Sequence, residues 1–203
     1  MSGKRVTRLT PDQRREQLVG IGLEMLAERS LDELSTDEVA RRAGISRGLL
    51  FHYFDSKRDF YRAVVRAECA RFTAATEPDG TLEPVPWMRA FIAGFVDYVL
   101  EHRQVYLALV RGAAGSHPAV TDIVGETRET LARRMRDGRR RLGMSEAPRV
   151  ELASRAWMAF AEEAVTNWPV EEADAREELC AFLESSFVSL LGLLDRPTVL
   201  APR

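Results

Sequence analysis

Thr36-Asp37-Glu38-Val39-Ala40-Arg41-Arg42-Ala43-Gly44-Ile45-Ser46-Arg47-Gly48-Leu49-Leu50-Phe51-His52-Tyr53-Phe54 is the stretch that decides the fold of this chain. It reads as two short helices joined at Gly44 by a tight turn. Val39, Ala40 and Ala43 place small apolar groups on one face of the first helix, Gly44 tolerates a bent or left-handed backbone without a steric clash, and Ile45 plugs the corner. Ser46 then caps the second helix. Leu50 and Phe54 fall four apart on its inner face, which leaves Arg47, Gly48, Phe51 and His52 to share the outer one. An outer face of that kind suits a DNA major groove.

The residues that follow extend the pattern. Phe54-Asp55-Ser56-Lys57-Arg58-Asp59-Phe60 closes the pair and opens a further helix, with Ser56 as cap and Asp59 three positions on. Lys57 stands at the start of that helix, where backbone N–H groups already favour anions, so it is well placed to hold a DNA phosphate. The run from Ser35 to Phe60 resembles the N-terminal DNA-binding domain of TetR-family transcriptional regulators, carried by Glu38-Val39-Ala40, Ala43-Gly44-Ile45-Ser46, His52-Tyr53-Phe54 and Ser56-Lys57. The resemblance in residues spans roughly positions 10 to 66; beyond them only the helical layout agrees.

That resemblance implies roles for individual residues. Arg47, Gly48, Leu49 and Phe51 match positions that approach base edges, while Thr36, Ser46, His52, Tyr53 and Lys57 match positions that meet the DNA backbone. Arginine is chemically the best of these readers, because one guanidinium can bond O6 and N7 of a guanine together. Gly48 permits close approach and Phe51 can touch a thymine methyl. Asp37 stands where some relatives carry a base-reading cation, and Leu49 and Phe51 stand where relatives often have a hydroxyl-bearing residue.

Charge agrees once the chain is divided. The formal net charge is −2 over 203 residues, yet residues 1–66 hold 13 Lys and Arg against 10 Asp and Glu, and residues 41–66 hold seven basic against two acidic side chains. The positive field is local to the proposed recognition helix, where release of counterions from DNA makes use of it. A hydrophobic content of 45% suffices for two helical cores. No apolar run reaches the roughly 20 residues of a membrane span and no apolar leader follows the first methionine, so the expectation is a cytoplasmic protein with no membrane partner. Cys69 and Cys180 lack a paired or metal-ligand spacing and read as reduced thiols.

Helical periodicity runs through nearly the whole chain. Thr10-Pro11-Asp12-Gln13 is a capping box opening a first helix to about Arg29, with Gly20 and Gly22 inside it read as close-packing positions. A fourth helix is expected from Lys57 to Ala75, then a loop to about Pro86, and a fifth through Trp87, Phe91, Phe95 and Tyr98. A sixth surrounds Tyr106 to Ala113 and leads to Gly115-Ser116-His117-Pro118. Three long helices follow at about 119–142, 149–168 and 173–194. The expected architecture is all-α, with a helix-turn-helix DNA-binding domain in residues 1–56 and a helical ligand-binding and dimerisation domain in residues 57–203.

Aromatic residues are the main lead in the second part. Trp87, Phe91, Phe95 and Tyr98, with Trp157, Phe160 and Trp168 on the eighth helix and Ala161 and Ala164 beside them, are candidates to line a cavity between helices; ordinary core is the alternative for each. The resemblance implies that the occupant is a small hydrophobic or amphipathic effector. On the last helix, apolar residues cover more of the circumference than one core-facing stripe requires, and Phe182, Ser186, Phe187, Ser189 and Leu190 are the candidate dimerisation residues. The resemblance implies a homodimer whose eighth and ninth helices pair in a four-helix bundle. Arg133, Arg134, Arg136, Arg139, Arg140 and Arg141, with Glu126, Glu129 and Asp137, read as an exposed face.

Chemistry of catalysis has little support. His52, His102 and His117 show no metal-ligand spacing, no serine lies in a nucleophile elbow, and Glu162 and Glu163 diverge on a helix, so neither a catalytic site, a metal nor another cofactor is expected. The reading favoured is a homodimeric DNA-binding regulator on a double-stranded operator, a repressor relieved by its effector. A helical small-molecule carrier or interaction protein without specific DNA binding is the alternative.

Overall fold

The computed structural model describes residues 9–28, 33–114, 120–144, 147–169 and 174–194, with side chains at all of these except 111–114, 191 and 194. Among the described residues there are nine helices and no strand: α1 Pro11–Glu28, α2 Thr36–Arg42, α3 Arg47–Tyr53, α4 Lys57–Ala75, α5 Pro84–Glu101, α6 Arg103–Ala114, α7 Thr121–Arg141, α8 Pro148–Asn167 and α9 Ala175–Leu194. None of these helices is long and apolar enough to cross a membrane.

The chain forms two compact units, one from residues 1–70 and 104–124, the other from residues 71–103 and 125–203. By compactness most of α4 goes with α1, α2 and α3, and so do α6 and the start of α7, although they lie far along the chain. The Gly115-to-Pro118 punctuation expected after α6 falls outside the described residues, as does the side chain of Leu191 on α9.

Local chemistry explains the starts of the first unit's helices. The Thr10 capping box closes reciprocally: the Gln13 amide donates to Thr10 Oγ1 at 3.3 Å and the Thr10 amide donates to Gln13 Oε1 at 3.0 Å. Ser56 caps α4 by accepting from the Asp59 amide at 3.0 Å. The core joins Leu18, Leu23, Met25 and Leu26 of α1 to Leu34, Val39, Leu50, Phe54, Phe60, Val64 and Val65, all buried. Phe54 and Phe60 meet edge to face at 5.0 Å between ring centroids. Gly22 is a close-packing position, since a Cβ there would stand 2.6 Å from Val64 Cγ2. Gly20 is not one, because it faces open space.

In the second unit α5 packs on both α8 and α9, and α8 packs on α9. α5 starts at Pro84, two residues before the expected end of the loop, because Pro84 and Pro86 both fall in the first turn, where proline removes no intrahelical hydrogen bond. Its contact with the end of α4 is close: a Cβ on Gly94 would lie 2.6 Å from the Ala75 carbonyl oxygen. Two ion pairs tie α5 to α9, Arg176 with Asp97 at 2.5 and 2.8 Å and Arg89 with Glu184 at 3.1 Å. The Asp97 hydrogen bonds raise the Arg176 guanidinium above its ordinary pKa, and burial pushes up the neighbouring Cys180 thiol.

The arginines of α7 do not form a solvated face. Arg134 donates to the Thr73 carbonyl at 2.5 Å, to Thr76 Oγ1 at 2.8 Å and to Glu77 at 2.7 Å. Arg141 reaches the Gly80 carbonyl at 2.6 Å and lies over the Trp87 ring. Arg139 is buried and bonds Glu151 at 2.6 Å and Ser154 Oγ at 3.1 Å, while Arg136 takes the other Glu151 oxygen at 3.1 Å. Burial pushes the Glu151 carboxyl up, but the hydrogen bonds from Arg139 and Arg136 outweigh it and hold the group below its ordinary value. Arg133 and Arg140 are exposed, as the sequence reading expected, with Arg133 donating to Thr130 and Arg140 beside Asp137 on the same helix. The physical reason is register: Arg139 falls on the same stripe as Leu131, Met135 and Gly138, the side of α7 that is buried.

Candidate nucleic-acid interface

The site is built on a corner of backbone. Ser35 caps α2 by accepting from the Glu38 amide at 3.4 Å. After Arg42 the chain turns through Gly44, whose φ of +66° is the left-handed conformation that favours glycine, and the Ile45 amide closes back on the Ala40 carbonyl at 3.0 Å. Ser46 is extended at φ −74°, ψ 153°, and its hydroxyl accepts from the Leu49 amide at 3.2 Å, so α3 starts at a defined angle.

The short α3 is held from below. Leu50 and Phe54 are fully buried, and Arg15 of α1 donates to the Tyr53 carbonyl at 2.6 Å while stacking 4.3 Å from the Phe54 ring centroid. An α3 of seven residues has little stability of its own; this anchoring supplies it. Arg15 was not legible as a support, since it lies 38 residues from its partner.

What remains outside is the expected face. Ser46, Arg47, Gly48, Leu49 and His52 are exposed, and Phe51 and Tyr53 are half-buried with their inner sides on the core. Lys57 is exposed at the start of α4 with its Nζ 5.0 Å from the Tyr61 ring centroid, and the Tyr61 hydroxyl donates to the Leu34 carbonyl. Thr36 departs from this group: it is buried at the first turn of α2, so its side chain packs inward and any approach to a DNA backbone there falls to exposed neighbours. The cations beside the face differ in how tightly they are held. Glu38 binds Arg41 at 2.6 Å and Arg42 at 3.0 Å, and those hydrogen bonds pull its carboxyl down to about 2. Arg42 also reaches Glu28 of α1 at 3.2 Å. Arg47 keeps only a long pairing with Asp37, at 3.4 Å.

Comparison with known proteins agrees with this geometry. Residues 21–64 match the family model for bacterial regulatory proteins of the tetR family, and residues 86–190, more than half of the chain, match the tetracyclin repressor-like C-terminal domain. The chain belongs to the TetR family. It is 25% identical over 186 residues to the HTH-type transcriptional activator FasR of Mycolicibacterium smegmatis, covering 88% of this chain and 85% of that one. It is 32% identical over 108 residues to the HTH-type transcriptional regulator EthR of Mycobacterium tuberculosis, covering 51% and 50%. Among solved structures, a tetR-family transcriptional regulator from Streptomyces coelicolor superposes with a TM-score of 0.78 at 29% identity over 91% of this chain and 83% of that one. A TetR-like regulator from Rhodococcus gives 0.67 at 25% identity over 93% and 100%. The chain is thus a DNA-binding transcriptional regulator of the TetR family.

In the part matching the TetR C-terminal domain, the aromatic candidates separate into three groups. Trp87 and Phe91 stack in parallel, 6.0 Å between centroids, with Gly138 of α7 pressed against Trp87. Phe95 and Tyr98 meet Phe72 of α4 at 5.9 and 5.2 Å. Trp157 meets Phe187 edge to face at 4.9 Å, and its Nε1 donates to Ser186 Oγ at 2.9 Å. Ala161 is fully buried and Ala164 half-buried. Phe160 and Trp168 do not join the α5 aromatics; they gather with Phe182 on the outer side, Phe160 at 5.5 Å and Trp168 at 5.2 Å from it.

The dimerisation candidates divide as well. Phe182 and Ser189 are exposed and Leu190 is half-buried, whereas Phe187 lies on the inner stripe with Leu179 and Leu183, 2% exposed, and Ser186 is engaged with Trp157. Phe187 is therefore part of the core of the second unit. The sequence did not single out Leu152, Val188 and Leu193, which are 61%, 68% and 62% exposed. Their signal was available, as each is apolar at a position off the buried stripe of its helix.

Proposed function

We propose that this TetR-family regulator is a cytoplasmic homodimeric repressor that leaves its operator when a small hydrophobic or amphipathic effector binds its second unit. Residues 1–56 carry the contacts to double-stranded DNA through Ser46, Arg47, Gly48, Leu49, Phe51, His52 and Tyr53, joined by Lys57 at the start of α4, and residues 57–203 otherwise carry effector binding and assembly. The observation that supports assembly is the outer aromatic group of Phe160, Trp168 and Phe182, on helices that also expose Leu152, Val188 and Leu193. Contiguous aromatic surface of this kind is uncommon on a monomer, and a two-fold pairing buries it twice over. A dimer then sets the spacing of two half-sites.

The effector is proposed to enter between α5 and α8, which pack directly, with Ala161 and Ala164 on one wall and the α5 aromatics on the other. The repressor sign follows the family resemblance; FasR carries the name of an activator and EthR that of a regulator. An effector lowers operator affinity only by its differential binding to two states of the protein, typically about 1–3 kcal/mol, and DNA weakens the effector by the same factor.

Analytical ultracentrifugation at micromolar concentration tests assembly: the wild type should sediment as a dimer and Phe182→Glu as a monomer with weakened operator binding. A monomeric wild type overturns the dimer. Compounds released from the purified protein and identified by mass spectrometry should lower operator affinity when added back, and Ala161→Trp should abolish that response while still binding operator. A compound that binds the wild type and leaves operator affinity unchanged defeats the switch.

A further inference from the structure

Asp37 and Arg47 face one another across the helix-turn-helix corner. Arg47 Nε lies 3.4 Å from Asp37 Oδ1 and Nη1 lies 3.5 Å from Oδ2, while the guanidinium carbon stands 5.6 Å from the centroid of the Phe51 ring. Both side chains are about two thirds exposed, 64% and 63%. A long pair in that setting contributes little to folding stability. An acid beside a surface that meets phosphates also opposes binding to any DNA. Folding gains only the small helix-dipole benefit of an acid in the first turn of α2, a place Glu38 also fills, and general affinity for DNA gives no reason for Asp37 to stand there.

The adjacent acid makes the contrast. Glu38 turns to Arg41 and Arg42 on its own helix with short hydrogen bonds, whereas Asp37 reaches from α2 to the first residue of α3. The carboxylate on one edge and the Phe51 ring on one face restrict the Arg47 side chain before DNA arrives. A guanidinium restricted in advance loses less rotamer freedom on bonding a guanine. On a wrong base the same carboxylate remains near the DNA as a repulsive charge.

We propose that Asp37 is a specificity-determining residue of this regulator: it positions Arg47 for one guanine and penalises sequences that lack it. The proposal rests on the reading of α3 as the DNA-contacting helix. It makes Asp37 act through Arg47, as a positioning residue, and not by touching a base itself.

The test uses duplexes selected by the full-length wild type from a random pool. Affinities are measured for wild type, Asp37→Asn, Arg47→Ala and the double variant on the selected duplex, on each single-base-pair change of it, and on a scrambled duplex, with circular dichroism to show equal helicity. Arg47→Ala should lose about ten- to hundredfold discrimination at one G·C pair. Asp37→Asn should lose several-fold discrimination at that same pair while binding the scrambled duplex more tightly. In the double variant, base preference should match that of Arg47→Ala alone. A uniform gain on every duplex with discrimination unchanged reduces Asp37 to a bystander charge and overturns the proposal. A change of preference by Asp37→Asn that persists in the Arg47→Ala background overturns it in another way, by making Asp37 a base reader. If the wild type selects no sequence at all, the DNA-contact reading beneath the proposal is what has failed.

Discussion

Arg47 on α3 and Arg139 on α7 are the same residue type in opposite settings. Arg47 is exposed and holds its carboxylate at 3.4 Å; Arg139 is 5% exposed, holds Glu151 at 2.6 Å and Ser154 at 3.1 Å, and has a buried Nε with no acceptor among the described residues. Both have arginines nearby in the sequence, Arg41 and Arg42 before Arg47 and Arg140 and Arg141 after Arg139, so residue type and local charge do not tell them apart. The helix register does. An arginine on the buried stripe must bring its own acid with it, because an uncompensated charge inside is costly, whereas an arginine off the stripe remains available to a partner from outside.

The largest expected effect breaks the buried side of this contrast. Arg139→Met leaves Glu151 with Arg136 alone and should destabilise folding by about 3 kcal/mol, at the low end for buried pairs because Glu151 is a quarter exposed. Arg139→Met combined with Glu151→Leu should recover most of that loss, since removing both partners of a buried pair is often close to neutral. Urea unfolding of the three proteins checks the ordering. Single and double variants of equal stability would show that the pair is not coupled. Sequence preference on DNA should be unchanged in either variant, provided binding is measured where both are folded.

The exposed side is tested by function instead of stability. Arg47→Ala should leave the urea midpoint almost unmoved and reduce preference at one base pair by about 1–3 kcal/mol. Lys57→Ala should weaken all duplexes alike and lower the slope of log affinity against log salt by about 0.9. The two signatures must differ; a pair of variants with identical base preference and identical salt slope would remove the division between base reading and phosphate holding.

How far each region was legible follows from the range of the interactions that build it. The boundaries of α4 and the serine caps at Ser46 and Ser56 depend on residues within four positions of each other, and the sequence carries them openly. Gly44 was readable for the same reason, as a turn of that length needs one left-handed residue. Arg15 under Phe54, Arg134 on the end of α4 and Phe187 under Trp157 join residues 30 to 61 positions apart, and no local pattern announces such pairs. Phe187 looked like Phe182 in sequence because both are aromatic on one helix; only the packing of α8 decides which is inside.

The smallest expected effect lies between the two extremes, at Glu38, a half-buried acid whose partners Arg41 and Arg42 hold it short and close. Its carboxyl titrates at about 2 in the folded protein against 4.5 ordinarily, mainly through the Arg41 hydrogen bonds and then those of Arg42. A depressed carboxyl binds fewer protons in the folded state than in the unfolded one. Its contribution to stability is therefore complete above about pH 4.5 and declines as the pH falls towards 2. Solvent around the exposed Arg41 screens much of this, so the effect on global stability should be slight and is better read locally. Amide hydrogen exchange in α2 should accelerate more between pH 4.5 and pH 2 in the wild type than in Glu38→Gln, after correction for intrinsic rates, while α3 amides pinned by Arg15 should show no such difference. Parallel profiles for the two proteins across α2 would mean that the Glu38 pairs, like ordinary surface ion pairs, leave the helix as stable without them, and that the readiness of Arg47 cannot be credited to a rigid α2 behind it.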